Sequence, residues 1–152
     1  MTEVIPKFGK KYTFFRPNYA INFQAVVSKK GFGTINVEIA PALKTGADWD
    51  KKITLQLSEV DLFKYFYTFS HQVFFTYESK HHGPDKNKSI RFEEDLSGCT
   101  ITLSDAGNVV FFKCSVGEWF YAQLLMLEKL LNHPLSVSEA RELMIIQKKP
   151  SK

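Results

Sequence analysis

Twice along this chain, two-residue hydrophobic alternation gives way to apolar residues at helical spacing, each time behind a serine with an acid three residues on. The two switches are Ser58-Glu59-Val60-Asp61 and Ser115-Val116-Gly117-Glu118. In such a capping box the serine hydroxyl accepts a backbone N–H of the first helical turn, and the acid accepts the serine's own N–H. Asp61 stands where glutamate is usual. Ahead of the first box, segments 11–16, 19–27, 34–39 and 53–57 alternate or are rich in β-prone residues, with turn signals at Pro17-Asn18 and Lys29-Lys30-Gly31 and a polar loop after Pro41. Ahead of the second box the pattern returns at 73–78, 88–93, 99–103 and 109–114, with a loop over 79–87. Behind the boxes, Leu62, Phe63, Phe66, Tyr67 and Phe69, then Trp119, Phe120, Leu124, Leu127, Leu130 and Leu131, recur at helical spacing. The order predicts an α+β protein: two four-stranded antiparallel sheets, each followed by a helix. One domain spans 1–135, as two pseudo-repeats over about 11–70 and 72–133. A third box, Ser136 to Glu139, opens a short helix within a 136–152 appendage that ends in a basic tail.

The length of 152 residues suits one core, and 44% apolar residues with 14 Phe exclude a disordered chain. Phe66, Phe69, Trp119 and Phe120 are assigned to that core. The net charge of +4 is unevenly placed. Up to Lys52 there are 9 basic against 4 acidic residues, and from Lys80 to Arg91 there are 4 against 1. Residues 92–112 hold 4 acids and no base. Basic segments of this kind favour an anionic partner. Two cysteines, Cys99 and Cys114, are too few for a disulfide framework, and they read as reduced thiols. No apolar segment approaches a membrane span or a secretion signal, so a cytoplasmic location with no membrane partner is expected.

From Ser28 to Phe66 the chain reads SKKGFGTINVEIAPALKTGADWDKKITLQLSEVDLFKYF. The Lys-Gly-Phe turn, the strand ending in Ala40-Pro41, Asp48-Trp49 before a basic pair, and the strand entering a helix at Ser58 resemble the Whirly family of single-stranded-DNA-binding proteins. The second half agrees more loosely: a basic strand over 88–92, an acidic turn, two strands and a long apolar helix. One departure stands out. Plant Whirly proteins have a Lys-Gly-Lys-Ala-Ala-Leu motif on an early strand, where this chain has FFRPNYAINFQAVV. So compact a version fits a phage, bacterial or mobile-element source. The resemblance, shared with Pur proteins and trypanosome mitochondrial RNA-binding proteins, implies two halves packed helix to helix and four protomers in a propeller-like tetramer. It also implies single strands running across the sheets, in replication, recombination, repair or transcription. A homo-oligomer also follows from the helix at 118–131, which has Phe120, Tyr121, Leu125 and Met126 on more than one side.

Single strands need cations along a phosphate path and flat side chains for unstacked bases. The expected cations are Lys11, Arg16, Lys29, Lys30, Lys52, Lys88 and Arg91. The expected stacking rings are Tyr12, Phe14, Tyr19, Trp49 and Tyr77, with Tyr77 foremost in the second half. On the first strand, Tyr12, Phe14 and Arg16 face one way and Thr13 and Phe15 the other. No P-loop, dinucleotide fingerprint, nucleophile elbow or zinc signature is present, so neither catalysis nor a cofactor or metal is expected. His81-His82 lies in a loop without cysteines, and Glu93-Glu94-Asp95 reads as a solvated turn. The alternatives are an RNA-binding protein of the same fold and a protein-interaction domain.

Overall fold

Antiparallel pairing turns the alternation of the first half into one apolar and one polar face. The computed structural model describes residues 8–27, 33–69 and 74–147. Its first sheet runs in the order β1 (Phe8–Phe15), β2 (Tyr19–Val27), β3 (Gly33–Leu43) and β5 (Ile53–Leu57). The two-residue β4 (Gly46–Ala47) pairs with the end of β3 at Ala42 and Leu43. One cross-strand row holds Tyr12, Phe23, Val37 and Leu55, and the next in that face holds Phe14, Ile21, Ile39 and Ile53. The opposite face holds Lys11, Gln24, Asn36 and Gln56, then Thr13, Asn22, Glu38 and Thr54. β3 continues past Pro41, where a polar loop was expected. Proline lacks an N–H but keeps its carbonyl, and the Pro41 carbonyl accepts the Asp48 N–H at 2.9 Å.

The second sheet is a meander of β6 (Thr76–His82), β7 (Lys88–Asp95), β8 (Gly98–Asp105) and β9 (Asn108–Ser115). Its inner row is Tyr77, Phe92, Ile101 and Phe112. β6 begins later than expected and absorbs part of the expected loop, with irregular register between Ser79 and His82 and a positive φ of 66° at His81. The β7–β8 turn depends on Gly98. Its φ is 138°, and a Cβ there would lie 2.0 Å from the Cys114 carbonyl oxygen. Cys99 and Cys114 are free, buried and directly opposed on β8 and β9. Burial pushes the Cys114 thiol up to about 12, so the group stays protonated near neutrality.

All three serine boxes cap helices. At α1 (Glu59–Phe69), Ser58 N–H donates to Asp61 Oδ2 at 2.9 Å and Asp61 N–H to Ser58 Oγ at 3.0 Å. At α2 (Val116–Leu131) the same reciprocal pair joins Ser115 and Glu118, and at α3 (Val137–Gln147) it joins Ser136 and Glu139. α2 ends with Asn132 in the left-handed region, one residue before the expected stop at His133-Pro134.

The protein is therefore α+β, with two antiparallel sheets each followed by a helix, and a third helix at the end. α2 packs on β1, β2 and β3 of the first sheet and on β8 and β9 of the second, and the sheets also meet directly, β2 against β9 and β5 against β8. Leu125 and Met126, expected to serve self-association, are fully buried within the protomer. Covering two sheets explains the apolar breadth of α2. Trp119 and Phe66 are core as expected; Phe120 is only half-buried, packed at the core's margin, and the Phe69 side chain lies outside the described residues. Ala140 and Met144 of α3 join the same core. Among the described residues no helix is long and apolar enough to cross a membrane.

Candidate nucleic-acid interface

The polar face of the first sheet is built by register. On β1, Lys11, Thr13 and Phe15 point outward because their cross-strand partners Gln24, Asn22 and Ala20 lie opposite the Ile21–Phe23–Ala25 face. Thr13 Oγ1 donates to Asn22 Oδ1 at 2.9 Å, and Asn22 Nδ2 donates to Glu38 Oε1 at 3.1 Å. Thr54 Oγ1 donates to the other Glu38 oxygen at 3.1 Å, and Lys52 Nζ sits 2.5 Å from it. Burial alone would push the Glu38 carboxyl up, but Lys52, Asn22 and Thr54 outweigh it and hold the carboxyl below its ordinary range. The acid at the centre of the face is thus ionised, partnered and neutralised. Around it, Lys11, Thr13, Phe15, Asn22, Gln24, Glu38, Trp49 and Lys52 line a shallow groove of about 370 Å³. Phe15 is 52% exposed at one end, and Trp49, held by the 3-10 turn Trp49–Lys51, is half-buried at the wall.

Three of the expected residues, Lys11, Trp49 and Lys52, meet in that groove. Lys29 and Lys30 lie outside the described residues. Tyr12 and Phe14 face inward and pack against the core, with the Tyr12 ring 5.2 Å from that of Tyr121 on α2. The expected parity on β1 holds, but the exposed ring is Phe15, because the inner face is the one continued by Ile21, Phe23 and Val37. Arg16 forks onto Glu118 at the start of α2, with Nη1 3.1 Å from Oε2, and lies 4.9 Å over the Phe112 ring. Tyr19 is half-buried, its ring 6.3 Å from that of Phe111.

In the second half the expected residues serve structure. Tyr77 is buried on the inner row beside Phe92, and its hydroxyl donates to Asp61 Oδ1 at 2.9 Å, so it offers no open face to a base. Lys88 reaches across to the first half, donating to the Thr54 carbonyl at 2.9 Å. Arg91 does lie on the outer face, 2.7 Å from Glu78 and 3.8 Å from Glu93. Glu94 also differs from expectation. It is half-buried and accepts from the Tyr65 hydroxyl at 2.9 Å and Trp119 Nε1 at 3.0 Å, because its parity on β7 matches Phe92. Parity could have found Phe15, Phe111 and Glu94, once one inward residue on each strand was known.

His82, expected in a loop, ends β6 with Nε2 2.7 Å from Ser79 Oγ and 3.4 Å from Asp61 Oδ2. Ser79 also donates to Asp61 at 2.6 Å. The serine lies between acid and imidazole, not at the imidazole's far nitrogen, so the trio lacks the order in which a histidine relays a serine's proton. Among the described residues no group of three or more His, Cys, Asp or Glu side chains is placed to hold a metal ion. No protein-family model matches this chain, and no curated protein shows a significant match to it.

Proposed function

We propose that this protein binds single-stranded DNA without catalysing a reaction, on the outer face of its first sheet, as a Whirly-like protein. The observation that carries the reading is the groove in which Lys11, Phe15, Trp49 and Lys52 surround hydroxyl and amide side chains on the outer sheet face. Rings at the rim stack on bases, cations meet phosphates, and Thr13 and Gln24 hydrogen-bond to sugar, phosphate or base edges. The architecture of two antiparallel sheets, each followed by a helix, supports the family resemblance. Self-association belongs to the same proposal, but its support moves from α2 to α1. There Val60, Phe63 and Tyr67 form an exposed apolar stripe, Phe63 and Tyr67 being 60% and 62% exposed with their rings stacked.

A fluorescence-polarisation titration with labelled oligo(dT) at two salt concentrations tests the reading. Affinity should fall steeply with salt through counterion release, and duplex should bind far more weakly because its bases are already stacked. Tighter binding of oligo(U) would turn the assignment to RNA. No binding of either strand at moderate salt would leave the protein-interaction reading in its place. Sedimentation equilibrium at micromolar concentration decides assembly, with a tetramer expected and a single 17.5 kDa species rejecting it.

A further inference from the structure

A second aromatic surface opens where the two halves meet. Phe111 projects from the outer face of β9 with 58% of its surface exposed, and the Tyr19 ring stands opposite at 6.3 Å, tilted by 50°. Between them and the Arg16–Asn18 turn lies a mostly apolar groove of about 470 Å³, rimmed by Ser97 and Lys113. That volume falls within the roughly 300–1,000 Å³ of small-ligand sites. The groove continues the candidate interface: Arg16 lines both it and a neighbouring hollow formed with Phe15 and the exposed Lys44.

We infer that this groove takes one unpaired base of the bound strand, stacked on the open face of Phe111, with the chain passing from Phe15 around the β1–β2 turn. The inference rests on the nucleic-acid reading and extends it to a residue of the second half. The tilt between the rings rules out a sandwich, so stacking falls on Phe111 alone. Lys113 is held to Asp95 at 2.6 Å, but both side chains are open to solvent, and an exposed pair of this kind is weak enough for a phosphate to replace the carboxylate. The Ser97 hydroxyl and the Asn18 amide supply polar groups at the rim for the edge of the base.

The test combines titration with cross-linking, using labelled oligo(dT) and the same oligonucleotide containing 5-bromodeoxyuridine. Phe111→Ala should weaken binding on the order of tenfold with the salt slope unchanged, Phe111→Tyr should restore it, and irradiation should join bromouracil to the peptide containing Phe111. Because Phe111 is exposed, both variants should keep the parent's circular dichroism. If the parent binds but Phe111→Ala binds equally well and cross-links map elsewhere, this inference falls while the proposed function stands. If the parent binds no oligonucleotide at any salt, both fall together.

Discussion

The two halves share one plan and use it differently, and the difference is clearest in their cap acids. Each acid reaches across to the opposite half. Asp61 does so in the interior, where it accepts from Tyr77 at 2.9 Å and Ser79 at 2.6 Å on β6 as well as from Ser58. Glu118 does so at the surface, where it meets the Arg16 guanidinium at the end of β1. The outer faces diverge in the same way. On the first sheet, one acid sits among amides and hydroxyls, with aromatic rings and lysines at the rim. On the second, Glu78, Arg91 and Glu93 satisfy one another, and Lys113 pairs with Asp95. A shared plan of four main strands and a helix thus leaves one face open for a ligand and closes much of the other with ion pairs.

The largest expected effect tests the buried cap. Asp61→Ala removes the acceptor of Ser58, Tyr77 and Ser79 at once and should destabilise the protein by about 3 kcal/mol in urea unfolding. A loss no larger than that of Glu118→Ala would show that the two caps are equivalent after all. Next come the faces. Phe15→Ala and Trp49→Ala should each weaken oligo(dT) binding by roughly 1–3 kcal/mol with an unchanged salt slope, whereas Arg91→Ala should leave affinity where it was. An equal loss from Arg91→Ala would carry the strand onto the outer face of β6 and β7 as well.

Acid should act next on the two buried carboxyls of the first half. Hydrogen bonds from Ser79, Ser58 and Tyr77 overcome the burial of Asp61 and hold its carboxyl below the ordinary value, and Glu38 is held low by Lys52, Asn22 and Thr54. A carboxyl depressed on folding stabilises the native state above its unfolded pKa, and that contribution is lost as pH falls through the folded value. Unfolding free energy should therefore drop below about pH 4, and Asp61→Asn should flatten the drop. An unchanged acid limb in that variant would remove Asp61 from the account. The smallest effect belongs to the surface strap: Arg16→Ala should cost about 0.5–1 kcal/mol, and less in high salt.

The local half of this structure was legible because its causes are local. A serine and an acid three residues apart ahead of a run at helical spacing make their cap from residues adjacent in sequence, and all three boxes form. Strand alternation was legible too, but alternation alone does not say which face is inside. β1 has rings on both faces, so Phe14 and Phe15 exchange roles once Ile21 and Phe23 choose the interior. Tyr77 has the same cause: a tyrosine beside basic residues suggests a platform, but its ring is buried and its hydroxyl donates to Asp61. Arg16 and Lys88 looked like free cations because their partners, Glu118 and the Thr54 carbonyl, lie 102 and 34 residues away.

The crossed straps bear on how the chain reaches this state during synthesis. β1 to β5 present an apolar face whose cover is α2 and strands of the second sheet, and α1 rests on β6 and α2, which are not yet made when it leaves the ribosome. From the end of α1 to the end of α2, translation at about 5–20 residues per second takes roughly 3–12 s. Through that interval Ile21, Phe23 and Val37 lack their final cover, and pairings of such wide sequence separation close slowly. The nascent first half is thus the stage at which this protein is most exposed to aggregation and has most use for a chaperone.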